Sequence, residues 1–319
     1  MPLTRRKFII STAATGAALT TVVPSAAVLA QDKPTVGVGS KDFTESIILA
    51  HICGDLLEDA GYGVDRQINL GGTVVAHEAT VNGDIDLYVE YTGTGLLAIL
   101  GMELPEMDRD AEASASPAAG AGKDPVYDIV AEAYPEQFGL EWLEPWGFNN
   151  TYVMAVRRET ADELGITTIS DLEGHAGDMI VGGTQEFLIR PDGLPGLEEL
   201  YGLSFGDALG LDPGLVYSAL VEGEVDIVSA TATDGRIPAL DLVALEDDLG
   251  FFPPYYAAPV VRQDLLEEAP EVRDILNQLA GQIDDTRMAE LNFQVDDGGA
   301  EPSDVARQFL IDEGLISEG

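Results

Sequence analysis

After residue 34 the apolar and polar positions follow a regular order. Thr35-Val36-Gly37-Val38-Gly39 is a short apolar run ending in glycine, the pattern of a first strand. Over residues 44–60 the apolar side chains Ile47, Ile48, Ile52, Leu56 and Leu57 recur at helical spacing, and Gly61-Tyr62-Gly63 halts that helix. Residues 64–70 predict a second strand. Gly71-Gly72-Thr73 then opens a helix over residues 74–81. Strand and helix alternating in this way predict an α/β layered fold with a largely parallel sheet. Residues 107–123, rich in Ala, Ser, Asp and Gly and without a period, predict a solvated insertion within the first lobe.

One stretch has a counterpart later in the chain. Residues 82–94, NGDIDLYVEYTGT, lay over residues 222–234, EGEVDIVSATATD. Each reads as a helix end, a Gly-acid turn and a short apolar strand running into small polar residues. This predicts two lobes of one plan, each presenting a strand's C-terminal end to a shared cleft, where ligands of open α/β sheets sit. Ordinary helix–turn–strand units arising independently give the same pattern. Gly and Pro beside aromatic residues at 146–150 and 251–254 predict two crossings between lobes, a hinge that opens and closes the cleft. The expected boundaries are residues 31–149 for lobe 1, 150–252 for lobe 2 and 253–319 for a return to lobe 1.

Composition changes the picture in two places. The 319 residues carry 57 acids against 16 Lys and Arg, a net charge of −41. Such a surface repels nucleic acid and anionic headgroups, so a polyanion partner is excluded. The acids are spread along the chain, and lysine occurs only at Lys7, Lys33, Lys41 and Lys123. At molar salt the screening length falls to about 3 Å and the repulsion largely disappears, so the charge predicts a salt-adapted protein from an extreme halophile. The first thirty residues hold Arg5, Arg6 and Lys7 and no acid. Paired arginines, a mild apolar stretch over 10–23 and small residues at 24–30 predict a twin-arginine export signal over residues 1–30, with cleavage before Gln31. The mature chain is then expected outside the cytoplasmic membrane. With one cysteine, Cys53, an internal disulfide is impossible, and three scattered histidines predict no metal centre.

With these motifs in hand, the chain resembles the glycine betaine/choline-binding proteins of osmoprotectant ABC importers. The resemblance rests on residues 39–46 (GSKDFTES), 70–73 (LGGT), 83–94 (GDIDLYVEYTGT), 147–154 (GFNNTYVM), Glu186-Phe187, 190–193 (RPDG), 233–237 (TDGRI) and 251–259 (FFPPYYAAP). They recur in order from residue 35 to about residue 300. The resemblance implies a type II periplasmic-binding-protein fold, a small quaternary-ammonium ligand, an ABC permease with its ATPase as partner, action as a monomer, no cofactor and no catalysis.

A trimethylammonium group is charged but has no N–H, so hydrogen bonds cannot select it; aromatic faces can, at about 0.5–2 kcal/mol each. By resemblance Tyr91, Tyr152 and Tyr255 are walls of such a cage, with Tyr256 able to exchange roles with Tyr255. A ligand carboxylate calls for cations and hydroxyls. Lys41, Arg190 and Thr94 resemble that half of the site, and Asn150 resembles a polar rim group. Family members often carry an aromatic residue where this chain has Thr231. Either another ring (Tyr88, Trp146, Phe148 or Tyr256) fills the gap, or the pocket is wider and polar there. The Arg190 guanidinium would then matter more for carboxylated ligands than for choline.

Other chemistry is poorly supported. Asp84 with Asp86 and Glu224 with Asp226 read as acids of turns and strand edges, and Arg236 and Arg262 as structural ion pairs. No nucleophile elbow, phosphate loop or dinucleotide fingerprint is present, and His51, His77 and His175 lack a nucleophile at suggestive spacing. Two alternatives to betaine import remain: the same fold binding choline or another small zwitterion, and a sensor that presents its ligand to a membrane receptor.

Overall fold

The computed structural model describes residues 33–105 and 124–317; the expected export signal and the expected insertion lie outside the described residues. Among the described residues ten strands form two five-stranded sheets. The first contains β1 (Thr35–Gly39), β2 (Gly63–Gln67), β3 (Leu87–Tyr91), β4 (Leu140–Trp142) and β10 (Ala257–Arg262), in the order β2-β1-β3-β10-β4. The second contains β5 (Tyr152–Arg157), β6 (Ile180–Thr184), β7 (Asp207–Leu211), β8 (Ile227–Thr231) and β9 (Leu242–Leu245), in the order β7-β6-β8-β5-β9. The two orders match strand for strand.

Neither sheet is largely parallel. The pairs β1–β2, β1–β3, β6–β7 and β6–β8 are parallel, whereas β10 runs antiparallel to β3 and β4, and β5 runs antiparallel to β8 and β9. The reason is the double crossing. β5 and β10 each enter their sheet directly from the other lobe, at the cleft end, so they must run away from the cleft while β3 and β8 run toward it.

Helix α1 (Thr44–Asp59) follows β1 and helix α2 (Thr73–Asn82) follows β2. The second strand stops at Gln67, short of residue 70, because Asn69 adopts a left-handed φ of 61° and turns the chain. One face of the first sheet packs on α1 and the C-terminal helices, through Ile48, Ile52, Met288 and Phe309. Its other face packs on helix Pro125–Phe138, through Tyr88, Val130, Tyr134 and Trp142. In the second sheet the alternation of β5 is direct: Met154 and Val156 enter one core and Ala155 the opposite one.

The repeat read in the sequence has a repeated structure. Gly83 and Gly223 end their helices at φ 78°, a left-handed turn that only glycine takes without strain. Three residues on, Asp86 accepts a bond from the Gly37 amide (2.7 Å) and Asp226 one from the Ile180 amide (2.9 Å), each tying its strand to the neighbouring one. Arg262 and Arg157 reach these acids at 3.8 and 3.2 Å and also donate to helix-end carbonyls, Thr80 O and Leu220 O. Asp86 and Asp226 are structural, and so is Arg262.

Candidate functional site

The strand ends converge on one cleft of about 610 Å³ between the sheets. All eight residues singled out in the sequence border it: Tyr91, Tyr152, Tyr255, Lys41, Arg190, Thr94, Asn150 and Thr231. Sheet register explains much of this. Tyr91 ends β3 opposite Ala257, two residues past Tyr255, and Tyr152 begins β5 opposite Thr231. Both crossings deliver an aromatic residue to the same place.

The rings form a packed corner. Tyr152 meets Tyr255 edge to face with centroids 5.5 Å apart, and Phe187 and Phe252 back it at 5.3 and 5.6 Å. Burial, opposed mainly by the nearby Arg190, pushes the Tyr152 hydroxyl up to about 12. Across the cleft Phe43 lies 6.1 Å from Tyr91. Of the rings considered for the gap at Thr231, Tyr88, Trp146 and Phe148 are fully buried in the first lobe and are not fillers. Tyr256 is not among the cleft residues; its neighbour Tyr255 is. On that side stand instead Tyr217, with the Arg236 guanidinium 4.2 Å from its centroid, and the hydroxyls of Thr231 and Ser229. That wall is polar.

The cations at the other end already have partners. Lys41 is buried, 2.5 Å from Glu90 Oε1 and 3.3 Å from Thr73 Oγ1, with its ammonium 5.0 Å from the Tyr91 centroid. Arg190 is buried as well and grips Asp192 through two nitrogens, one at 2.8 Å, while Nη2 donates to Thr94 Oγ1 at 3.3 Å. Asp192 also accepts the Tyr255 hydroxyl at 2.7 Å. Arg190 is therefore joined through Asp192 to the Tyr255 ring that borders the cleft.

Several contacts run from lobe to lobe. The Glu186 carboxylate accepts from the Thr73 amide (2.7 Å) and hydroxyl (3.1 Å) at the first turn of α2. Gly72 permits this approach, since a Cβ there would collide with Glu186 Oε1. Arg236 pairs with Asp234 at 2.6 Å and with Asp296 of helix Asp285–Asp296 at 3.2 Å.

Sequence reasoning missed Glu45, in the first turn of α1. It is buried, borders the cleft, and accepts bonds from Tyr91 Oη (2.7 Å), Asn150 Nδ2 (2.7 Å), Thr233 Oγ1 (2.6 Å) and Asn292 Nδ2 (2.8 Å). Burial raises its pKa above the ordinary glutamate value despite these donors. The signal available beforehand was that Glu45, Asn150 and Thr233 each lie in a matching motif, but nothing in the sequence links the carboxylate to partners 105 and 188 residues away. Asn150 is thus a ligand of Glu45 more than a rim group. Among the described residues no cluster of His, Cys, Asp and Glu could hold a metal ion, and no helix is long and apolar enough to cross a membrane.

Residues 34–312 match the family described as the substrate-binding domain of ABC-type glycine betaine transport systems. A carnitine transport binding protein of Listeria monocytogenes is 35% identical over 283 residues, covering 87% of this chain and 86% of the relative. A glycine-betaine-binding protein of Pseudomonas aeruginosa is 37% identical over 305 residues, covering 92% of each. The crystal structure of a glycine betaine/carnitine/choline ABC transporter protein superposes with a TM-score of 0.68 at 32% identity, covering 88% of this chain and all of that one.

Proposed function

Because this chain belongs to the family of ABC-type glycine betaine substrate-binding domains, a family of extracytoplasmic binding proteins and not of enzymes, we propose that it captures glycine betaine or a related quaternary-ammonium osmolyte and hands it to an ABC permease driven by its ATPase. One observation carries the ligand class. Tyr91 from the first lobe, Tyr152 from the second and Tyr255 from the return crossing border one cleft, with Lys41, Arg190 and Thr94 beside them. Ring faces suit a cation that has no N–H to offer. The cations and hydroxyls suit a carboxylate at the other end, and closure of the lobes completes both halves.

The wall around Thr231 supports a second reading. With hydroxyls and the Arg236–Tyr217 stack where a further ring would stand, the pocket suits a ligand with a polar substituent beyond the ammonium group, such as carnitine or choline. We take the chain to act as a monomer, as the family resemblance implies; its paired arginines suggest export in folded form by the twin-arginine route, and its charge of −41 suggests work at molar salt.

A thermal-shift screen in molar KCl tests the ligand class, with glycine betaine, choline, carnitine, proline betaine, ectoine and proline. Stabilisation by trimethylated compounds and none by proline or ectoine is the expected outcome. Stabilisation by ectoine or proline alone overturns it.

A further inference from the structure

The junction around Glu45 does not balance in protons. As the bonds stand, the Thr233 hydroxyl lies 2.6 Å from Glu45 Oε2 and 2.9 Å from Asn150 Oδ1, two acceptors for a single hydrogen. Turning the Asn150 amide over sets its oxygen against Glu45 Oε1, which is 2.7 Å from the position now held by Nδ2. Either orientation leaves acceptor facing acceptor when Glu45 is ionised. A proton on Glu45 resolves both. With Oε2 protonated, Glu45 donates to Thr233, Thr233 to Asn150 Oδ1, and the Tyr91 hydroxyl and both amide groups still donate to the carboxyl.

The charged groups around this carboxyl are already matched. Lys41 holds Glu90 at 2.5 Å in the turn and strand on one side. Arg236 holds Asp234 and Asp296 at 2.6 and 3.2 Å, and Thr44 donates to Asp296 at 2.5 Å on the other. Asp42 is an exposed acid at the rim of the same cleft. The Tyr91 hydroxyl, raised well above its ordinary range by burial and then by Glu45, stays a donor. The raised pKa of Glu45 is caused chiefly by burial, against its four hydrogen bonds. No free cation faces it among the described residues, yet it borders the cleft beside the Tyr91 ring, where a quaternary ammonium would sit.

We propose that Glu45 is a proton-exchanging part of the ligand site, neutral before a quaternary ammonium binds and ionised afterwards, so that capture of the cation releases a proton to solvent. This rests on the cage reading above. An opposite charge nearby lowers a carboxyl's pKa, and the start of α1 and four donors make the ionised form accessible. On ionisation Thr233 turns its hydrogen to Glu45 and Asn150 Oδ1 loses its donor. Thr233 follows β8 of the second lobe, so the proton leaves from a contact between lobes. Discrimination follows: a zwitterion with its positive group elsewhere leaves Glu45 neutral. Affinity for the cation rises with pH between the bound and unbound pKa of Glu45, tenfold for each unit between them.

Choline is the probe, since nothing in it titrates near neutrality. Calorimetry from pH 5.5 to 8 in buffers of unlike ionisation enthalpy should show up to one proton released per choline and a Kd that falls as pH rises. Glu45→Gln should bind choline with no proton release and a flat profile. A ligand-free arm is independent: the infrared difference between wild type and Glu45→Gln at pH 7 should contain a protonated-carboxyl band, which choline removes. Choline binding without proton release, release that persists in Glu45→Gln, or absence of the band overturns the proposal and leaves the cage reading standing. Failure of choline and glycine betaine to bind the wild type at all sinks the cage reading, and the linkage with it.

Discussion

The contact between Glu186 and the start of α2 makes closure of the lobes measurable. Glu186 belongs to the second lobe, and its two bonds to Thr73 reach into the first, so opening the cleft breaks both. Bonds to a charged acceptor contribute about 1.5–3 kcal/mol each, and the helix N-terminus adds a few tenths. The Glu186 side chain is 37% exposed, however, and water competes for it. Discounting for that exposure leaves about 1.5 kcal/mol for the pair, roughly a tenfold shift in the closing equilibrium. Apparent affinity scales with the fraction of closed, competent protein. Glu186→Ala should therefore weaken glycine betaine and choline alike by about tenfold, chiefly through faster dissociation in stopped-flow tyrosine fluorescence. Gly72→Ala tests the same contact from the other side. Residue 72 has φ −73° and ψ −174°, which alanine adopts freely, so the variant folds while its methyl displaces the carboxylate. Affinities within twofold of wild type for both variants, or a loss confined to one ligand, would refute this account of closure.

Three further outcomes are expected. Tyr152→Ala removes a ring that packs on Tyr255, Phe187 and Phe252 and should weaken trimethylammonium binding by about 10–100-fold in calorimetry; unchanged affinity removes Tyr152 from the cage. Arg190→Ala leaves Asp192 buried without its cation and loosens the carboxylate that holds the Tyr255 hydroxyl, so it should weaken choline as well as betaine, with the greater loss for betaine; intact choline binding refutes the link through Asp192. Transfer from molar KCl to dilute buffer should partly unfold the protein by circular dichroism, because screening of 57 acids is lost; an unchanged spectrum argues against salt adaptation.

What the sequence made legible was local. Helical period defined α1, glycine ends defined α2, and the repeat around Gly83 and Gly223 foretold two lobes of one plan, because turn chemistry and strand burial act over a few residues. Sheet direction was not legible: period-2 burial is the same in parallel and antiparallel strands, and only the path through the crossings sets the sense of β5 and β10. The cleft-bordering residues were found where each sat in its own motif.

Glu45 escaped for a deeper reason. Its four donors come from β3, the first crossing, the segment after β8 and a C-terminal helix, and no spacing rule links them. A carboxylate on a helix's first turn reads as ordinary N-terminal decoration in a chain with 57 acids. Burial distinguishes it, and that burial brings together groups far apart in the sequence, as does the bond from Thr233 to Asn150. The same geometry decides how Arg190 must be read. As a lone cation near a cleft it is a carboxylate clamp; locked to Asp192, which in turn holds Tyr255, it also sets the angle of a wall. The two ends of the proposed site are therefore mechanically joined. A substitution aimed at one end of the ligand will register at the other, and double-mutant cycles between residues 190 and 255 should show coupling of the size seen for directly contacting residues, about 0.5–3 kcal/mol, instead of simple additivity.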